Sequence, residues 1–380
     1  MTVQSPMEQE VRNALALMRI NYFNLAGLRQ LYDAMGSATA IVEHKSDLRD
    51  VMPDASPRLL EGLAGIDEAL KRADAELEFC RKHAIEPLAM SDARYPQRLC
   101  ECDDAPLALF FRGTADLNAR HIVSVVGTRH CTAYGQDLIN RFVSDLKELL
   151  PDALVVSGLA YGADICAHRK ALACGLDTVA VLAHGLDTIY PARHRETAKQ
   201  MLAQGGLLTE YFTQTNADKV NFVRRNRIVA GMADAVIVVE SAEKGGSLIT
   251  ARLSREYNRD TFAFPGAVGA PYSAGCNRLI ARNEASLITS AADFVEAMGW
   301  QNEAALRAAQ HQGIERQLFP ELTDEEQIVV GALTKQNDRQ VNLLAVDTNL
   351  PVSRLTALLF ELELKGVIKP LAGGIYHLIM

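Results

Sequence analysis

No uninterrupted apolar run in this chain reaches the ~20 residues that a membrane-spanning helix needs. The first residues, MTVQSPMEQEVRN, hold neither a basic start nor an apolar stretch, so we expect no signal peptide and a cytoplasmic location. The seven cysteines (Cys80, Cys100, Cys102, Cys131, Cys166, Cys174 and Cys276) are odd in number and scattered. That pattern fits free thiols in a reducing compartment and not a disulfide framework. Cys100 and Cys102 form one C-x-C with no second pair, so no metal site is expected. A G-x-G-x-x-G after a strand is missing, and so is a G-x-x-x-x-G-K-[ST]. Their absence disfavours a dinucleotide dehydrogenase and a P-loop ATPase. No cofactor is expected, and no internal repeat or low-complexity tract is present.

What is present is ordinary for a folded protein. With 380 residues, 48% hydrophobic and 23% charged, the chain has material for two or three domains. The net charge of −8 is uneven: residues 1–118 carry −6, residues 119–300 carry +1 and residues 301–380 carry −3. Screening confines fields to about 8–10 Å, so a basic patch in the balanced middle dominates its own surroundings.

Apolar positions recur at helical spacing through residues 7–84, in VRNALALMRI, LAGLRQLYDAM and IDEALKRADAELEFC. This predicts a helical N-terminal domain over 1–84. LLEGLAGI (59–66) has a faint helix-hairpin-helix character, and a plain small bundle fits it better. Residues 85–113 read as an extended connector with short strands, IEPLAM and PLALFF. The middle then alternates strand and helix. HIVSVVG (121–127), ALVVSG (153–158), TVAVLA (178–183), GLLTE (206–210), AVIVVE (235–240) and TFAFPG (261–266) are short, apolar and rich in Val and Ile. This is the pattern of an α/β fold, a doubly wound parallel sheet over 85–300 with helices on both faces. Residues 301–321 read as a polar linker. Residues 322–380 predict three helices and a hairpin, a winged helix. Thr323 and Glu326 form a capping box there, Gly366 stops the third helix, and Gly373–Gly374 turns the hairpin. FVEAMGW (294–300) is either an interface or, through Trp300, a cap on the core.

Ligands of such sheets sit beyond the carboxyl ends of the strands. The first strand runs into GTRHCTAYGQDL, where Gly127 permits a tight turn, Thr128 follows and Arg129 adds charge beside a helix start. The second runs into SGLAYGADICAH, where Ser157 and Gly158 are small enough for close backbone approach. Asp164 and His168 lie four apart on the next helix, a spacing that more often means a helix-surface contact than an acid/base pair. The third runs into HGLDTIYPARH. The fifth ends in EKGGSLITARL, where Lys244, Gly245, Gly246 and Ser247 precede a helix. Several anion-friendly helix starts on one sheet edge reinforce each other. NFVRRNRIVAGM (221–232) adds Arg224, Arg225 and Arg227 within one turn, beside Phe222 and Asn226. Guanidiniums interleaved with an aromatic suit the phosphates and bases of single-stranded nucleic acid.

These residues resemble the bacterial DNA-processing protein A family, also called Smf. The matching stretches are VVGTRHCTAYG (125–135), SGLAYGADICAH (157–168), HGLDTIYPARH (184–194), LLTEY (207–211), NFVRRNRIVAGM, VVESAEKGGSLITA (238–251), FPG (264–266) and GCNRLIARNEA (275–285). They occur in family order across about residues 85–300. Val223 stands where the family pattern has proline, and Asn283–Glu284 where it has Glu-Gly. The resemblance implies an extended Rossmann-like domain that binds single-stranded DNA. It further implies a homodimer that loads the RecA recombinase onto incoming strands during natural transformation, with no catalytic residues. It places Arg129, the arginines 224, 225 and 227 and the KGGSL loop on DNA, with Phe222 against a base. A nucleotide-processing enzyme is the second reading. The fold is similar to that of cytokinin-activating phosphoribohydrolases, but their P-G-G-x-G-T-x-x-E motif is missing here. A nucleotide-sensing module using the same basic pocket is the third.

Overall fold

The computed structural model describes residues 5–20, 24–46, 48–53, 55, 57–301, 322–365, 367–371 and 374–378. The chain divides into two compact units, Met1–Gln301 and Asn302–Met380. The segment expected as a linker, together with Gly366 and Gly373, lies outside the described residues.

The first unit opens with helices α1 (Pro6–Ile20), α2 (Leu25–Met35), α3 (Ala38–Glu43), α4 (Leu48–Val51), α5 (Pro57–Ala64) and α6 (Ile66–Lys82). Asn24 and Ser37 cap α2 and α3 by accepting from Gly27 N and Ala40 N. Glu10 of α1 is buried and spends its carboxylate on the start of α3, accepting from Ala38 N at 2.8 Å and Thr39 N at 2.9 Å. That geometry offsets the cost of burying a charge. LLEGLAGI divides between α5 and α6 at Gly65, and its Leu59, Leu63 and Ile66 are buried. The core they join runs without a break into residues of the sheet such as Leu88, Leu109 and Val156.

The sheet is built from β1 (Glu86–Ala89), then, after the short helix α7 (Gln97–Cys100), β2 (Ala108–Gly113) and β3 (Ile122–Gly127). Next come α8 (Ala133–Leu149), β4 (Leu154–Ser157), α9 (Ala163–Cys174), β5 (Thr178–Val181), α10 (Arg195–Met201) and β6 (Gly205–Thr209). The unit closes with α11 (Lys219–Gly231), β7 (Ala235–Val239), α12 (Ser247–Glu256), β8 (Asp260–Ala263), α13 (Ala274–Ala281), β9 (Ser286–Leu287) and α14 (Ala291–Ala297). The nine strands lie in the order β1-β2-β6-β5-β4-β3-β7-β8-β9. From β6 to β9 all neighbours are parallel, and β1 and β2 add an antiparallel edge. The six long apolar stretches of the middle region are therefore strands, as expected. The supposed connector supplies two more strands of the same sheet.

The reason lies in two-sided burial. Val123, Val125, Val155 and Ile237 face one core with Phe142 and Phe294, while Ile122, Val156, Val179 and Val236 face the other. Strands covered on both faces are apolar throughout and do not alternate. Trp300 packs on Phe294 at 5.4 Å and His121 at 4.3 Å, so FVEAMGW caps the core.

The second unit holds α15 (Asp324–Lys335), α16 (Val341–Thr348) and α17 (Val352–Leu364), with β10 (Arg339–Gln340), β11 (Ile368–Leu371) and β12 (Ile375–Leu378) in the order β10-β12-β11. The Thr323–Glu326 capping box is present, and Lys365 Nζ closes on the buried Glu326 carboxylate at 2.7 Å. Leu333, Leu344, Leu355, Leu358, Leu359 and Leu362 fill its core. No single described helix is long and apolar enough to cross a membrane.

His168 of α9 is fully buried, where a helix-surface position was expected. Thr178 Oγ1 donates to Val155 O, so it accepts from His168 Nδ1–H at 2.7 Å. Burial, followed by the Arg225 charge, lowers its pKa from 6.5 to about 3. The folded ring stays neutral where the unfolded ring takes a proton. Stability is therefore complete above pH 6.5 and is lost as pH falls toward 3. His184 and His194 are lowered in the same direction. Urea titrations followed by Trp300 fluorescence should show the sheet unit losing about 2 kcal/mol through His168 between pH 7 and pH 5. His168→Asn should flatten that slope by the same amount, and an unchanged slope would assign the loss to other groups.

Candidate nucleic-acid interface

The chain leaves β3 for β4 on one side of the sheet and leaves β7 for β8 on the other. The crevice between the carboxyl ends of β3 and β7 is thus the topological switch point. A cleft of about 930 Å³ opens there. Its walls come from the loops after β3, β4 and β7, from one face of α11, and from Tyr272 and Arg278 beyond β8.

Close approach builds the cleft. A Cβ on Gly127 would overlap the Val239 carbonyl oxygen and the Ala163 side chain, so only glycine lets β3, β7 and α9 meet. A Cβ on Gly158 would overlap the Arg225 guanidinium. Arg225 is buried, donating to Gly158 O at 2.7 Å and to Val181 O. It reaches from α11 under the cleft and forms part of its floor. Burial lowers its pKa, and Asp164 opposes that shift.

The three glycine-turn helix starts differ in what they offer. Asp164 occupies the start of α9, accepting from Gly158 N at 3.1 Å and Ala160 N at 3.3 Å. Burial raises the pKa of this carboxyl, against the pull of Arg225. Glu240 occupies the start of α8, accepting from Thr132 N at 2.8 Å and Thr132 Oγ1 at 2.6 Å. It does so from a left-handed backbone with φ of 54°. A carboxylate of the protein itself thus lies at each of the helix starts after β3 and β4. The start of α12 has no side-chain cap at Gly246, and nothing crowds that glycine. This is the helix start that stays open toward the cleft.

Of the residues expected at the site, Gly127, Thr128, Arg129, Gly158, Phe222, Arg225, Asn226, Lys244, Gly245, Gly246 and Ser247 line this cleft. Ser157, Arg224 and Arg227 do not. Ser157 is buried and donates to Val125 O at 2.6 Å. Arg224 is half-buried and acts electrostatically on Glu210. Arg227 is buried against Glu210 in an ion pair, with Asp104 at 4.0 Å. Arg129 is exposed, its Cζ 5.0 Å from the Phe222 ring. Lys219, Arg252, Tyr272 and Arg278 also line the cleft and went unread in the sequence. They come from four separate stretches, and only the fold assembles them. Arg252 pairs with Glu256 and Arg278 with Glu243, whereas Arg129, Lys219 and Lys244 carry no ion pair among the described residues.

The family model for DNA recombination-mediator protein A matches residues 86–299. The chain belongs to this family. The DprA winged helix domain model matches residues 315–374, within the second unit. Protein Smf of Escherichia coli K12 is 35% identical over 294 residues, 75% of either chain. The crystal structure of DprA from Streptococcus pneumoniae superposes with a TM-score of 0.64 at 32% identity, covering 77% of this chain and 98% of that one. DNA processing protein A from Helicobacter pylori, solved for its single-stranded DNA binding mode, gives 0.51 at 28% identity over 56% of this chain and 95% of that one.

The Arg227–Glu210 pair fastens α11 to the end of β6. Arg227→Ala would strand the Glu210 carboxylate in the interior, at a cost of about 3–5 kcal/mol. Urea unfolding read by Trp300 should show that loss. The double substitution Arg227→Met with Glu210→Leu should recover most of it, and a double variant no better than the single one would discard the pair as the cause.

Proposed function

We propose that the cleft binds single-stranded DNA, and that the protein is a recombination mediator that protects incoming strands and loads RecA during natural transformation. One observation carries the binding step. The exposed side chains at the rim include Arg129, Lys219, Lys244 and Arg252, over a floor that contains the buried Arg225. Glu243 is the exposed carboxylate among the lining residues, and it is paired with Arg278. Such a surface neutralises phosphates spaced along a strand. The single-stranded DNA binding of the Helicobacter relative supports the same assignment.

A binding role fits better than a catalytic one. The carboxylates beside the cleft, Asp164 and Glu240, are engaged by backbone amides and a hydroxyl. RecA loading and homodimer formation join the proposal through the family. We further propose that the winged-helix unit binds DNA weakly or contacts protein instead. Residues 301–380 carry −3, and the exposed positions of α17 include Val352, Thr356, Ala357 and Phe360, which neutralise no phosphate.

Fluorescence anisotropy with a labelled strand and its duplex across a salt series tests the binding step. The strand should bind more tightly, with a log–log salt slope of about −0.7 per phosphate neutralised. Arg129→Ala and Lys244→Ala should each make that slope shallower by roughly 0.7. A mononucleotide competing as well as the strand would replace this reading with a small-ligand pocket.

A further inference from the structure

Phe222 is poorly placed to receive a base. It is half-buried, the Arg129 guanidinium lies 5.0 Å from its ring centroid, and Arg225 lies 5.9 Å away. Its neighbour on the other loop is Tyr190, ring centroid 5.8 Å away and tilted by 51°. Tyr190 is 47% exposed, although its backbone is firmly held. Its amide donates to His184 Nε2 at 3.2 Å, and His184 Nδ1–H donates to Gly185 O at 2.9 Å. Burial of His184 keeps the neutral ring that this accepting nitrogen requires. An exposed aromatic on a fixed backbone loses little freedom on binding. Three residues on, Arg193 is exposed and carries no ion pair among the described residues. His194 of the same turn supports a second exposed ring, Tyr161, at 5.0 Å.

We propose that Tyr190 is the base-stacking platform of the strand, and that the strand leaves the cleft over this ring toward Arg193. This rests on the single-stranded DNA reading above and adds a residue outside the cleft lining. Phe222 then acts from behind, holding Arg129 by its ring face and backing Tyr190. Stacking of one base on an aromatic ring should contribute roughly tenfold in affinity, about 1.4 kcal/mol, and carries no charge. Loss of Tyr190 should therefore weaken binding without changing the salt slope, unlike loss of Arg129.

The test uses the full-length chain and a strand of about ten nucleotides carrying 2-aminopurine, whose emission falls when it stacks on an aromatic ring. Wild type should bind and quench. Tyr190→Ala should bind about tenfold more weakly, at an unchanged salt slope, with much of the quenching gone. Tyr190→Phe should restore both, which a merely structural role of the hydroxyl or loop would not do. If wild type binds and Tyr190→Ala matches it in affinity and quenching, the stacking role is wrong and the cleft reading stands. If wild type binds no strand, both fall together.

Discussion

The burial of Arg225 is the constraint on which the site depends. A guanidinium does not shed its proton in a protein, so a buried one must be met by oxygens. Here the carbonyls of Gly158 and Val181, at the ends of β4 and β5, meet it. That demand fixes α11 against the sheet edge and forbids any side chain at position 158. It also explains why a carboxylate lies close by. Asp164 offsets part of the charge, but its own oxygens are turned to two backbone amides. Carbonyl dipoles and a neighbouring carboxylate thus share the compensation of this buried charge.

The same economy governs the helix starts. A doubly wound sheet necessarily aims several helix N-termini at its carboxyl edge. Two of them are quenched internally, α8 by Glu240 and α9 by Asp164. The start of α12 is left without a cap, beside Lys244. The anion-binding character of the edge is thereby concentrated on the β7 side of the switch point. Glu240 accepts a left-handed backbone in order to reach Thr132, a strain of roughly 1–3 kcal/mol that its two short hydrogen bonds oppose.

The sheet was legible because its strands are buried on both faces and read as short Val- and Ile-rich runs between helices. The two-residue β9 carries too few side chains to show a pattern, and the antiparallel β1 and β2 were legible as short strands but not as members of the sheet, because no crossover helix joins them. The arginine run was legible as charge but not as direction. At 100° per residue, Arg225 and Arg227 stand about 200° apart on α11, so crowding in sequence disperses them in space. One turns under the cleft and the other turns to Glu210. Arg252 and Arg278 lay inside stretches already noted but were not singled out, and Lys219 and Tyr272 are ordinary surface residues until the loops converge.

The division of labour along α11 bears on how an acidic chain attracts an anion. Arg227, with Glu210 and Asp104 around it, projects little field outward. Arg225 is met by the carbonyls of Gly158 and Val181, with the Asp164 charge opposing its own. The rim cations Arg129, Lys219 and Lys244 carry no ion pair among the described residues, so their field adds to that of Arg225 in the cleft. The −8 net charge is carried mainly by residues 1–118 and 301–380, and screening confines each field to about 8 Å at physiological salt. On the proposed reading, an anion meets local attraction at the cleft rim within a chain that is acidic as a whole. Binding then favours a flexible chain whose phosphates can follow that crevice, over any ligand that must lie flat against the acidic remainder.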